Sequence, residues 1–269
     1  MGRSRRPRHL KCIEKGPEGD DVTPLDPTSS PTPSRSHPGS STMRKSILFP
    51  LALGLLLTPL ALSTSKPETN GVTSNSILLG QSCALKGPAA GLGIGMKEGL
   101  TAYFDLQNAN GGINGRTIEL KTLNDGYEPE KCEKATKLLI DKSKVFMMIG
   151  EVGTPTSKVA VPICEDAGVP FIAPFTGAEF LRNPYREQVV NLRGSYYQEM
   201  ERLAEYLVDD QGLTKISCFY QNDSYGKAGL SGIEKALEKR NMTLTSTGTY
   251  ERNTTAVAQG VDKIGRAHV

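Results

Sequence analysis

The sequence predicts an α/β fold, an open and mostly parallel sheet with helices on both faces. Three observations carry that expectation. Strand-like and helix-like patterns alternate from Ser76 onward. Several strand-like stretches are continuous apolar runs, as strands covered on both faces are. Glycine- and proline-bearing turns separate the elements, as at Asn110-Gly-Gly-Ile-Asn-Gly-Arg116 and Gly168-Val-Pro170.

Taken in order, Ile77 to Gly80 is a short apolar run suited to a buried strand, and Gly87 to Gly95 is a loop rich in glycine and proline. A helix follows to Asn108, carrying Met96, Leu100, Tyr103, Phe104 and Leu106. Thr117 to Leu123 alternates apolar and polar residues, so one face is wet and the strand belongs at an edge. Lys131 to Asp141 reads as a helix. Val145 to Ile149 is continuously apolar and hence central. Val159, Ala160, Ile163, Cys164 and Ala167 line a helix face that stops at Gly168 and Pro170, and Phe171 to Ala173 is the next strand. A new register starts at Gln188 to Leu192. Ser195 and Gln198 form a capping box, followed at helical spacing by Met200, Leu203, Ala204 and Leu207. Ile216 to Tyr220 is a strand, and Ser224 to Lys239 a helix with Ile233, Ala236 and Leu237 inward. Crossovers should be right-handed.

The 269 residues suffice for one large domain or two small ones, and 37% hydrophobic with 23% charged is ordinary for a globular protein. The net charge of +3 is unevenly placed: residues 1–45 hold nine basic and five acidic side chains, leaving 23 and 24 for the rest. A nearly neutral body offers nucleic acid no electrostatic footing. Without tryptophan, no cage can be built on that ring.

The ends read differently from the body. Met43-Arg44-Lys45-Ser46 is basic, Ile47 to Leu62 carries no charge over 16 residues, and Ala61-Leu62-Ser63 supplies small residues for cleavage. Residues 43–63 are therefore expected to be a cleaved signal peptide. The alternative, a membrane anchor, needs roughly 20 residues and would have to carry Pro50 and Pro59. No cysteine follows directly, so a lipid anchor is not expected. Residues 1–42, rich in Ser, Pro and Arg, are expected to be a disordered upstream extension that is not native; the alternative is a disordered cytoplasmic arm. Residues 64–75 are expected to form a flexible mature N-terminus. Ile264-Gly-Arg-Ala-His-Val269 matches one frame of a sequencing adapter, so the chain is expected to be truncated near Lys263; the alternative is a natural helix end.

In such sheets ligands bind beyond the carboxyl ends of the strands. The loops that matter are then Ser82–Gly95, Asp125–Glu128, Glu151–Ser157, Phe175–Glu179 and Gln221–Gly226. In Gly150-Glu-Val-Gly-Thr-Pro-Thr-Ser157, Thr154 sits where an N-cap belongs and Pro155 at the first helical position. A helix start carries free N–H groups and partial positive charge, which suits a carboxylate. An ordinary capped helix without a ligand would look the same. Thr176 can offer a second hydroxyl, and Gly177 lets backbone come close. Tyr225 either covers a ligand from the opposite lobe or packs on its own helix. Gly91-Leu-Gly-Ile-Gly95 fails the dinucleotide pattern in its spacing, and no cofactor is expected.

The three histidines, His9, His37 and His268, all fall in the doubtful ends, which removes His-based triads and the usual zinc sites. The chain is expected to be no enzyme and to hold no metal. Cys83 and Cys132 follow neighbouring strands and are the candidate disulfide; Cys164 and Cys218 read as small core residues.

Five stretches, in order and at consistent intervals, resemble one family: Gly80-Gln-Ser-Cys-Ala-Leu-Lys-Gly-Pro88, Asn108-Ala-Asn-Gly-Gly-Ile-Asn-Gly-Arg116, Asn124-Asp-Gly-Tyr-Glu-Pro129, Gly168-Val-Pro-Phe171 and Asn222-Asp-Ser-Tyr-Gly226. Residues from about 76 to 262 are similar to the N-terminal part of periplasmic Leu/Ile/Val-binding proteins, the type I solute receptors of ABC importers. The resemblance implies a two-lobed clamshell whose first lobe has strand order 2-1-3-4-5. Residues 76–193 would form that lobe, and 194–263 an incomplete beginning of the second. It further implies that Thr154, Thr176 and the amide near Gly177 meet a ligand carboxylate, with Gly153 and Phe175 beside them. Tyr225 would close over the ligand, and Leu92 stands where many relatives carry an aromatic residue. The acidic partner for a ligand amine would lie beyond Lys263. The implied partners are a small amino acid or amide and an inner-membrane ABC permease, with the full-length protein a periplasmic monomer. The alternative is an extracellular sensor of the same fold, tuned to amides or urea. The chain by itself is expected to aggregate and to bind solute poorly.

Overall fold

A computed structural model describes residues 69–267 of the chain. The expected upstream extension and signal peptide lie outside the described residues, as do His268 and Val269 at the end of the expected tail.

The first sheet is built from β1 (Ser76–Cys83), β2 (Thr117–Asn124), β3 (Met147–Ile149), β4 (Phe171–Ile172) and β5 (Val189–Val190), in the order β2-β1-β3-β4-β5. Every pair is parallel. β1 and β2 pair over eight residues, from Ser76 against Thr117 to Cys83 against Asn124. β2 is at the edge, as its alternation predicts, and β3 is central. Val145 and Phe146 lie before β3 rather than in it, although Phe146 N–H still donates to Leu78 O. The register at Gln188 is not a departure from this sheet, because Phe171 N–H donates to Gln188 O and β5 pairs with β4.

Helices cover both faces. On one side α2 (Pro129–Lys137), continued by a π-helical turn over Leu138–Lys142, and α3 (Thr154–Asp166) enclose Leu139, Val145, Met148, Ala160, Val161, Phe171 and Leu181. On the other, α1 (Ala90–Ala109) packs Phe104 onto Leu79 and Ile118.

After β5 the chain leaves this sheet and builds a second, two-stranded one. α4 (Tyr196–Ala204) opens with the expected capping box, Ser195 accepting from Gln198 N–H and Gln198 reaching back to Ser195 N–H. α5 (Ser224–Glu238) packs Ile233, Ala236 and Leu237 against Ala204 and Ile216. β6 (Ser217–Gln221) pairs in parallel with β7 (Ser246–Tyr250), and α6 (Ala258–Ala267) follows. Neither β7 nor α6 was legible in the sequence. β7 reads Ser-Thr-Gly-Thr-Tyr, with no apolar run, because a β-carbon on Gly248 would stand 2.2 Å from Gly260 O; close approach to α6 replaces side-chain packing there.

Two local expectations need correction. The N-cap of α3 is Gly153, at φ 115° and ψ 148°, and Thr154 is the first helical residue. Only glycine adopts that backbone without strain, so the cap passes to it and frees the threonine hydroxyl. Cys83 and Cys132 are free thiols, not a disulfide. Their sulfurs turn to separate partners, Cys83 to Gly93 O at 3.6 Å and Cys132 to Glu151 Oε1 at 3.0 Å.

Candidate functional site

The parallel strands of both sheets end facing a cleft of about 520 Å³, within the range of small-molecule sites. Leu92 at the start of α1, Val152 and Gly153 after β3, and Phe175 after β4 line one side; Gln221 at the end of β6 and Tyr225 in α5, with Tyr250 and Asn253 around the end of β7, line the other.

Backbone bonds set the first wall. Phe175 N–H donates to Glu151 O at 2.7 Å, and Val152 bridges Phe175, so the two loops advance together. Gly153 must be glycine twice over. Its φ is positive, and a β-carbon there would fall 2.2 Å from Cε2 of Tyr127, whose ring also lines the cleft.

Thr154 and Thr176 come together behind this wall. Their hydroxyls are 2.6 Å apart, and the Thr154 hydroxyl is 3.5 Å from that of Tyr196. The two threonines are 1% and 0% exposed. Gly177 meets Tyr196 as well: its carbonyl accepts from Tyr196 N–H at 2.7 Å, and a β-carbon would touch Cδ1 of the tyrosine at 2.7 Å. Tyr196 thus joins the threonine pair to the open cleft, since its ring lines the cavity.

Rings dominate the rest. Tyr225 meets Tyr196 edge-on, with centroids 5.6 Å apart and planes at 69°. Burial, with smaller contributions from Tyr196 and Tyr250, raises the Tyr225 phenol, which therefore stays a protonated donor. The Arg193 guanidinium lies 5.4 Å over the Phe175 ring and 5.3 Å over that of Tyr196, and is ion-paired to Glu199.

The far end of the cleft is tied across. Arg252 bonds Glu128 at 2.8 Å, and Asn253 Nδ2 donates to Glu128 Oε1 at 2.6 Å and to Gly126 O at 3.1 Å. Asp223, 3.5 Å from Arg252, also caps α5 by accepting from Tyr225 and Gly226 N–H.

Leu92, Gly153, Phe175 and Tyr225 line the cleft, whereas Thr154, Thr176 and Gly177, expected to meet a carboxylate directly, are buried behind its wall. Tyr127 and Gln221 fell within the loops singled out in the sequence but carried no signal of their own. Arg193, Tyr196 and Tyr250 lie outside those loops; only the capping box at Ser195 could have pointed to Tyr196, the residue it starts.

The chain matches the model of the Periplasmic binding protein family over residues 76–269. Among curated proteins it is 27% identical to Leu/Ile/Val-binding protein homolog 3 of Brucella melitensis over 170 residues, covering 62% of this chain and 45% of that protein. Among solved structures it is similar to a possible leucine/isoleucine/valine-binding protein from Rhodopirellula baltica, at 36% identity and TM-score 0.67, covering 73% of this chain and 53% of the other. It is also similar to a substrate-binding periplasmic protein from Ralstonia solanacearum, at 30% identity and TM-score 0.66, over 70% and 53%. The chain spans about half the length of the relatives it matches.

Proposed function

The chain belongs to the periplasmic binding protein family, in its branched-chain amino-acid receptor branch, and from that premise we propose that it is the solute-receiving component of an ABC importer. It works in the periplasm, reached through a cleaved signal peptide at residues 43–63, and hands its solute to an inner-membrane permease. The solute is small and bears a carboxylate, as an amino acid does.

The observation that carries this reading is the hydroxyl pair of Thr154 and Thr176, joined to the cleft through Tyr196. A contact of 3.5 Å between Thr154 and Tyr196 is long for two hydroxyls. A carboxylate oxygen arriving there can replace it with shorter, charge-assisted bonds. The N-terminus of α3 adds its N–H groups and partial positive charge beside the same point. Phe175, Tyr196, Tyr225 and Tyr250 favour a solute whose body is apolar or flat. The groups around the cleft bind and orient; the cleft holds no histidine among the described residues.

A thermal-shift screen of the full-length protein against amino acids, amides, urea and aromatic acids tests the reading, followed by titration calorimetry on the hits. Binding of carboxylate-bearing compounds, lost when the carboxylate is amidated, is the expected result. Binding that ignores the carboxylate, or that survives in Thr154→Val with unchanged affinity, would sink it.

A further inference from the structure

Beneath the cleft wall, three acid and thiol side chains converge in the core of the first sheet. Asp125 follows β2, Cys132 lies in α2, and Glu151 follows β3; they are 0%, 0% and 1% exposed. One ligand-type atom from each lies within 4.8 Å of the others. Cys132 Sγ is 3.0 Å from Glu151 Oε1, and Asp125 Oδ2 accepts from Ser82 Oγ at 2.8 Å. None of the ion pairs among the described residues involves either carboxyl.

A separate observation points to something more than a hydrogen-bonded cluster. Glu151 Oε2 is buried and has no hydrogen-bond partner, although the other oxygen of the same carboxyl already faces the sulfur. Ser157 Oγ, at the start of α3, is also buried and unpartnered. Buried carboxyls without a cation or a full set of donors are costly; burial raises the pKa of both Glu151 and Asp125 towards the neutral acid, and pairing or metal coordination is the other way proteins resolve that cost.

We propose that Asp125, Cys132 and Glu151 form a buried site for one borderline-soft divalent cation, zinc by its chemistry. A thiolate disfavours magnesium and calcium, whereas zinc accepts sulfur and carboxylate oxygen together. With zinc bonds of about 2.3 Å to sulfur and 2.0–2.2 Å to oxygen, tetrahedral ligands stand roughly 3.3–3.7 Å apart, so the side chains need shift by only about 1 Å. Ser82 holds Asp125 in place from outside the ligand set, as metal-bound carboxylates are usually held. A hydroxyl or water completes the coordination, and the cysteine proton leaves as the ion binds.

The role is structural. The ion would join the loop bearing Tyr127 and the loop bearing Val152 and Gly153 to α2, stapling two parts of the cleft wall. This goes beyond the solute-binding reading and stands or falls without it.

The test is metal analysis of the full-length protein, purified from zinc-replete medium without chelator. The expected result is about one zinc per chain retained through dialysis, with a melting temperature lowered by about 5 °C or more on chelation. Cobalt substitution should add a near-ultraviolet sulfur-to-metal absorption that Cys132→Ser removes. Glu151→Gln should lose the metal, and its solute affinity is measured separately. Less than about a tenth of a zinc per chain with no thermal response to added zinc or chelator overturns the proposal, as does full zinc retention in both variants.

Discussion

Thr154 and Thr176 sit 22 residues apart in the chain, yet their hydroxyl oxygens lie 2.6 Å from each other because β3 and β4 are paired neighbours whose loops leave the sheet side by side. One of the two hydroxyls must donate to the other, which leaves spare capacity directed at the Tyr196 side. Removing the Thr154 hydroxyl leaves that of Thr176 only the Ala178 N–H at 3.3 Å, and removing that of Thr176 leaves Thr154 only the 3.5 Å contact to Tyr196, so in either variant a buried hydroxyl keeps its weaker bond alone. Thr154→Val and Thr176→Val should each cost about 1–3 kcal/mol of stability. The double variant, with neither threonine hydroxyl left buried, should be closer to wild type than the sum of the two. Solute affinity should instead fall in all three, by about ten- to a hundredfold, as expected for a lost bond to a charged group. Urea denaturation and calorimetry separate the two effects.

Gly153→Ala tests the hinge of the first wall. The residue holds φ 115°, and its new methyl would need to pass through the Tyr127 ring. Strain and overpacking each cost about 1–3 kcal/mol, so a loss of roughly 2–6 kcal/mol is expected in chemical denaturation. Gly177→Ala, which has no positive φ but faces Tyr196 at 2.7 Å, should cost less stability and more affinity.

The tie between Glu128 and the Arg252–Asn253 pair spans elements that follow β2 and β7. Burial by itself would raise the Glu128 carboxyl, but hydrogen bonds from Asn253 and Arg252, with the charges of Arg252 and Lys131, outweigh it and lower its pKa below the ordinary 4.5. A carboxyl lowered by folding contributes stability above its unfolded-state pKa, and that contribution disappears as pH falls through the folded-state value. Asp223 faces Arg252 from α5 and remains a second anchor. Arg252→Ala should therefore weaken solute binding about fivefold near neutral pH, the scale of a partly exposed ion pair. The difference from wild type should shrink below pH 4.5 and at high salt. A difference independent of both would rule out this tie as a contributor to closure.

Alternation and apolar runs made the first sheet legible, edge strand included, because its strands differ in how many faces they bury. β7 escaped for the opposite physical reason: its neighbour α6 comes close through Gly248 and Gly260, and a glycine contact leaves no hydrophobic signature. At the site, the rule that ligands lie beyond strand ends found the loops, and Thr154 and Thr176 were legible as hydroxyls at those ends. Their exchange of a hydrogen bond was not, since it depends on β3 and β4 being adjacent. Nor was the α3 cap, where a threonine-proline signal pointed one residue too far along the chain. Tyr196 and Arg193 were hidden because they reach the cleft from the connection between β5 and the start of α4, a packing relation that no local pattern encodes.

Phe171 links the core to the site. It is 1% exposed, pairs in register with Met148 on one side and Val189 on the other, and belongs to the cluster under α2 and α3. β4 is only two residues long, so this ring supplies much of what holds the strand in the sheet. Phe171→Ala should cost about 3–5 kcal/mol by lost burial and the cavity left behind. Tyr103→Ala, on the exposed face of α1, should change stability by no more than about 0.5 kcal/mol. The core variant should also lose solute affinity beyond what partial unfolding explains, because Thr176 and Phe175 are carried on the end of β4. Affinity measured on the folded fraction at low temperature checks this, and an unchanged value would mean that the loop holds its place through its own bonds to Glu151, Thr154 and Tyr196.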